Sequence, residues 1–160
     1  MLSLSRRVDY ALIALAYLAE RPGRVAPARQ IALAYDLPAA LLMNILKTLH
    51  QHKIVRSLRG TKGGYYLAID PATVSLYDLI ALLDGPVRTI ECTDHQGPEA
   101  AGSAAGDECD CRALPACPVQ RPLKALHHRL VRFLREVRLA DIILPGSRVD
   151  VPLEMVGVAP

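Results

Sequence analysis

Cys92, Cys109, Cys111 and Cys117 are the only cysteines in this chain of 160 residues, and all four fall outside its apolar runs. Three of them lie in the stretch Asp107-Glu108-Cys109-Asp110-Cys111-Arg112-Ala113-Leu114-Pro115-Ala116-Cys117-Pro118. An unpaired cysteine ordinarily behaves as a small buried hydrophobe. Thiols gathered in a polar, acidic, Gly- and Pro-containing segment point instead to metal or redox chemistry. A structural zinc site would show paired Cys-x2–4-Cys knuckles, and this spacing has none. Iron–sulfur clusters are also held by thiolates but accept looser spacing. Asp107, Glu108 and Asp110 oppose a bare thiolate by like-charge repulsion, which works against a low-pKa reactive thiol. A cationic metal centre reverses that penalty, so the charge pattern favours a metal over a thiol switch. His95 falls in the same segment and reads as a solvent-facing side chain.

The second group able to do chemistry is basic. Residues 1–70 hold ten Lys/Arg against four Asp/Glu, residues 84–111 one Arg against seven acids, and residues 112–138 seven Lys/Arg against one Glu. A formal net charge of +3 conceals this segregation. The basic first half suits a polyanion, and the acidic cysteine segment would be repelled by one.

These residues need elements to position them. Val8, Ala11, Leu12, Leu15 and Leu18 recur at helical spacing over residues 5–20, and Pro22-Gly23 ends that helix. A short helix begins near Pro27 and carries Ile31, Ala32 and Ala34. Asp36-Leu37-Pro38 breaks the chain before a third helix, from Pro38 to about His52, with a stripe of Leu41, Leu42, Ile45, Leu46 and Leu49. The period then shortens to two: residues 54–58 and 65–69 flank Arg59-Gly60-Thr61-Lys62-Gly63-Gly64, the pattern of a β-hairpin with a glycine-rich basic tip. A helix-turn-helix followed by a basic hairpin is the winged-helix plan. Ser75 is placed to cap a fourth helix over 75–84, with Leu76, Leu79, Ile80 and Leu83 inward. A long basic helix from Pro118 to about Leu139 carries Val119, Leu123, Leu126, Leu130, Phe133 and Val137 as a narrow seam of the kind that pairs helices between subunits.

The expected fold is mostly α with one small β-hairpin. It comprises a winged helix-turn-helix over 1–86, a cysteine segment over 87–117, a dimerisation helix over 118–143 and a loose tail over 144–160. On the third helix Asn44, Lys47 and Thr48 oppose the leucine stripe. Asn44 suits an adenine edge and Lys47 a guanine or a phosphate. On the hairpin Arg56, Ser57, Arg59 and Lys62 suit phosphates or the minor groove. DNA is therefore the expected partner. Tyr10 to Ala19 follows Arg6-Arg7 in the manner of a signal peptide, but Asp9 and Glu20-Arg21 interrupt that design. No run reaches the roughly 18 apolar residues of a membrane span, so a cytoplasmic protein with reduced thiols is expected. An enzyme is not: no Ser/His/Asp arrangement, phosphate loop or metal-binding His pair occurs, and His127-His128 are adjacent, hence on diverging faces.

Together these features resemble the winged-helix iron–sulfur regulators that include IscR and NsrR. The resemblance covers about residues 1–143 and rests on three motifs. They are Leu2-Ser3-Leu4 with Asp9-Tyr10-Ala11-Leu12, the hairpin Val55-Arg56-Ser57-Leu58-Arg59-Gly60-Thr61-Lys62-Gly63-Gly64-Tyr65, and Cys111-x5-Cys117-Pro118. It implies a bacterial homodimeric repressor of palindromic promoter DNA that senses iron–sulfur status, nitric oxide or redox state through a two-iron or four-iron cluster. The implied ligands are Cys92, Cys111 and Cys117. Gln120 stands where some members place a histidine ligand, so the fourth ligand implied is the partner subunit's Asp9. Four departures stand out. The segment from Cys92 to Cys111 is long, and Cys109 is an additional thiol able to replace a neighbouring ligand. Thr61-Lys62 replaces a common Pro-Gly at the tip, and Met43 replaces a glutamate that touches DNA in some members. The rival readings of the cysteines are a cluster-free thiol-based redox regulator, with Cys109 or Cys111 forming a disulfide, and a protein–protein adaptor with a structural zinc.

Overall fold

Ser5 starts the first helix: its hydroxyl accepts the Val8 N–H at 3.3 Å, and α1 runs over Arg6–Ala19. Val8, Ala11, Ala14, Leu15 and Leu18 on one stripe are all but inaccessible to solvent. Four other elements pack on α1, which makes it the centre of the core: α3 (Ala39–Gln51), α4 (Leu76–Asp84), α6 (Ala140–Ile143) and strand β2 (Gly64–Leu67). The computed structural model describes residues 4–60, 63–88, 117–146 and 149; most of the cysteine segment, the residues 61–62 at the hairpin tip and most of the tail lie outside these.

Helix α2 (Ala28–Ala34) follows Pro27, which stands at the N-cap, one position before the first helical turn. Asp36 then adopts a left-handed φ of +51°. The Leu37 N–H returns to the Ala32 carbonyl at 2.9 Å, which turns the chain into α3. Leu42, Ile45, Leu46 and Leu49 of α3 are buried against α1 and α2. Strands β1 (Val55–Leu58) and β2 pair antiparallel, Val55 with Leu67 through Leu58 with Gly64. The free side of β2 is closed by a single bridge to Ala26, with two hydrogen bonds of 2.8 Å to Tyr65. Gly64 makes that bridge possible, because a Cβ there would be driven into the Ala26 carbonyl and the Pro27 nitrogen. The expected mostly helical winged helix with one hairpin is what the chain forms.

Ser75 and Asp78 form a reciprocal capping box at the start of α4. Ser75 accepts the Asp78 N–H at 3.1 Å, Asp78 accepts the Ser75 N–H at 3.2 Å, and the two side chains meet at 2.6 Å. The same site receives the end of α5 (Gln120–Glu136). The Leu76 N–H donates to Val137 O at 2.8 Å, and the Leu139 N–H to Val74 O at 2.9 Å. The Arg135 guanidinium lies 4.6 Å over the Tyr77 ring. Leu134, Val137, Leu139 and Ile143 are buried in the same core as the first helices. The seam expected along α5 therefore divides. Its C-terminal end enters the core of its own chain, while Val119 and Leu126 stay 50% and 58% exposed. The short helix α6 and a 3-10 turn over Pro71–Thr73 carry too little periodicity to be read in the sequence.

Two substitutions test this arrangement. Ser75→Ala should cost about 1–2 kcal/mol through loss of a buried cap. Gly64→Ala should cost about 1–3 kcal/mol by forcing the hairpin off Ala26. Urea unfolding reads both, and a Gly64→Ala protein as stable as wild type would contradict the close approach.

Candidate nucleic-acid interface and cysteine site

Because α3 buries one stripe, its other side is left to solvent: Ala39, Ala40, Met43, Asn44, Lys47, His50 and Gln51 are exposed. Asn44 and Lys47 stand three residues apart, hence as neighbours on one helical face. Thr48, expected beside them, is half-buried, and its hydroxyl donates to the Asn44 carbonyl at 3.1 Å. That bond occupies the hydroxyl within the helix.

Strand β1 adds a second exposed row. Val55 is buried, while Arg56, Ser57 and Leu58 are exposed, as is Arg59 after it. Gly60 turns the chain at a φ of +123°, in a region side-chain-bearing residues avoid, and accepts the Gly63 N–H at 2.9 Å. Lys62, expected at the tip, lies outside the described residues. The described members of the set are thus brought to solvent on adjacent elements, α3 and β1, which pack together. An exposed helical face flanked by a basic hairpin can do two things chemically: offer amide and ammonium donors to base edges, and offer guanidinium groups to phosphates.

Sequence periodicity assigns Arg29 and Gln30 no role. Both are exposed on α2, because Ala28, Ile31 and Ala32 are its buried residues. The 3.6-residue period contains that signal, but in a helix of seven residues it is faint. His50 is a second residue that sequence reasoning misses. Its exposed ring lies on the last turn of α3, with Nδ1 3.2 Å from the Val55 carbonyl oxygen.

Of the cysteine set, Cys117 alone is described, half-buried in the turn that leads into α5, with its carbonyl accepting the Gln120 N–H at 3.4 Å. Cys92, Cys109 and Cys111 lie outside the described residues. Among the described residues no three His, Cys, Asp or Glu side chains converge as a metal site would require. Asp9 is exposed in the first turn of α1, where a carboxylate also complements the positive end of the helix. By residue type, cysteine thiolates are the donors that thiolate-held iron requires; of the expected ligands the structure describes Cys117 and Asp9.

No helix among the described residues is long and apolar enough to cross a membrane. Comparison with known proteins gives a consistent answer. A helix-turn-helix transcriptional regulator of the rrf2-like type from Rhodobacter capsulatus is 28% identical over 149 residues, covering 90% of this chain and 94% of that one. The transcriptional regulator NsrR of Bacillus subtilis is 32% identical over 94 residues, 58% of this chain and 64% of that one. The solved structure of CymR, the global cysteine regulator of B. subtilis, superposes with a TM-score of 0.65 at 24% identity, over 89% of this chain and 97% of that one. These relatives are named as transcriptional regulators, not as enzymes. The sequence profile of the Rrf2 family, described as iron-dependent transcriptional regulators, matches residues 4–145, and the chain belongs to that family.

Proposed function

We propose that this protein is a cytoplasmic, homodimeric repressor that binds palindromic promoter DNA and responds to redox state, nitric oxide or iron–sulfur status through a cysteine-held iron–sulfur cluster. The observation that carries the reading is a continuous path. Cys117 lies at the foot of α5, and the far end of α5 is hydrogen-bonded to the start of α4. Helix α4 packs on α1, and α1 on α3, whose opposite face is exposed. In this reading Asn44 and Lys47 address base edges, and Arg56, Ser57, Arg59 and Lys62 hold phosphates or the minor groove. Cys92, Cys111 and Cys117 hold the cluster together with the partner subunit's Asp9, and Cys109 is available in place of a neighbouring thiol. The exposed Val119 and Leu126, with the half-buried Leu123, Leu130 and Phe133, supply the apolar seam for the second copy.

When bound, such a cluster supplies a centre whose integrity answers to electrons, nitric oxide and iron supply. The protein does the rest with its own residues. Cys117 would hold the group at the start of α5 and the partner subunit's Asp9 would complete its ligands, while the α4–α5 joint couples α5 to the winged helix. A group held there would supply a difference between loaded and unloaded protein that the joint can pass to the winged helix, the two-state element that control requires.

A second reading has support from one observation. A solved structure that this fold matches over 89% of the chain is described as a global cysteine regulator, so the fold also serves a regulator connected with cysteine. In that reading Cys109 or Cys111 oxidises and pairs with another cysteine. Peroxide treatment followed by peptide mapping separates the two: a defined disulfide formed by protein that never carried iron supports the thiol reading.

DNA contact is tested through salt. Arg56→Ala or Arg59→Ala should lower the slope of log affinity against log salt by about one unit each if the side chain neutralises one phosphate. Unchanged slopes in both variants would remove these residues from the interface. For the sensor, Cys111→Ala or Cys117→Ala should remain folded and dimeric by circular dichroism and sedimentation but lose any cluster-dependent change in DNA affinity. A variant that retains the full response would remove that cysteine from the ligand set.

A further inference from the structure

The exposed row of β1 is held by a strand with few obvious supports. In the sheet β2 is inner, paired with β1 on one side and bridged to Ala26 on the other, so β1 is the outer strand. The Ala68 N–H donates to the Ile54 carbonyl at 3.0 Å, which makes Ile54 and Ala68 a hydrogen-bonded pair. Alternation in an antiparallel ladder then gives the next bonded pairs as Arg56 with Tyr66 and Leu58 with Gly64. Val55 and Ser57 fall between them, and their backbone groups turn away from β2. Val55 is 0% exposed. Its carbonyl is thus cut off from water and unserved by the ladder, and a buried carbonyl left unpaired is costly.

His50 meets that need. Its Nδ1 lies 3.2 Å from the Val55 oxygen, across a turn that the main chain has already closed. The Lys53 N–H donates to His50 O and the Ile54 N–H to Leu49 O, both at 3.0 Å, and Lys53 takes a left-handed φ of +63°. These bonds fix where the chain leaves α3. The imidazole then bonds the helix to the strand beyond the turn. A carbonyl only accepts, so Nδ1 must carry the proton, and the contact selects that tautomer.

We propose that His50 is a positioning residue of the DNA-binding surface: its Nδ1–H holds the buried Val55 carbonyl and so fixes the wing strand, with Arg56, Ser57 and Arg59, relative to the exposed face of α3. The inference rests on the reading of α3 and β1 as the DNA-binding elements. Without the bond the strand is free to tilt at its base, and the two rows no longer meet one duplex in a single register. Non-specific binding, which needs charge but little register, is affected less.

The side-chain chemistry gives a direct test. In the His50→Asn variant the amide nitrogen falls near the position of the imidazole Nδ1; in His50→Gln it reaches the Nε2 position instead. Full-length wild-type protein is used to select a duplex from a random-sequence library, and affinities for that duplex and a scrambled one are measured for wild type, His50→Ala, His50→Asn and His50→Gln. His50→Ala and His50→Gln should bind the selected duplex about 3–10-fold more weakly, with smaller changes on the scrambled duplex, while His50→Asn stays close to wild type. Nitrogen-15 correlation spectra of the wild-type imidazoles at alkaline pH should show His50 protonated on Nδ1. Rescue by Gln and not by Asn would make His50 a direct DNA contact, and wild-type affinity in all three variants would leave it no role; either overturns the inference, as does an Nε2-protonated ring. A wild-type protein with no preference for its selected duplex would instead overturn the DNA-binding reading beneath it.

Discussion

Two backbone hydrogen bonds, Leu76 to Val137 and Leu139 to Val74, join the end of α5 to the winged helix. Segments far apart in sequence meet there as a short antiparallel bridge beside the buried Ser75 cap. Closing so long a loop costs entropy that grows only slowly with its size. The cost is offset locally by the burial of Leu134, Val137, Leu139 and Ile143 in the core around α1. Without the joint α5 would keep only its side-chain packing on α4. With it, the helix that begins beside Cys117 is a rigid extension of the DNA-binding unit.

The same logic of short, over-determined junctions recurs within that unit. Asp36 and Lys53 are the two non-glycine residues with positive φ, among those described, and they sit at the two ends of α3. Both are held there by main-chain bonds back into the preceding helix, from Leu37 at one end and Lys53 at the other. Left-handed geometry is unfavourable for a lysine. The chain accepts it because the turn must deliver Val55 directly beneath α3, where the hairpin can flank the exposed helical face.

Periodicity made much of this legible. Val8, Leu15 and Leu18, Leu42, Ile45, Leu46 and Leu49 of α3, and the Leu76/Leu79/Ile80/Leu83 set of α4 are buried as their spacing requires, while Leu41 is half-buried. The glycine-rich hairpin follows from composition, and Gly64 is explained by its contact with Ala26. What periodicity cannot supply is the identity of the partner surface. The apolar residues of α5 form one stripe in sequence, yet Val137 is buried in the chain's own core while Leu126 faces solvent. The α4–α5 bridge and the His50–Val55 contact were invisible because each depends on which backbone groups the assembled fold brings together, not on local periodicity. The cysteines were conspicuous by type and setting, but Cys92, Cys109 and Cys111 fall outside the described residues, so their grouping rests on chemistry and resemblance.

The family joins regulators whose DNA-binding elements are alike and whose signals need not be. For this chain the decision lies with the acidic cysteine segment, where like charges discourage bare thiolates and a cationic centre would relieve them. The most direct measurement is the visible absorbance of protein purified without oxygen, together with its iron and acid-labile sulfide content. A brown protein with broad bands near ~400 nm and matching iron and sulfide is the expected result. Colourless protein after attempted reconstitution would contradict it, pointing to the thiols themselves as the sensor if no metal is bound and to a structural zinc if zinc is.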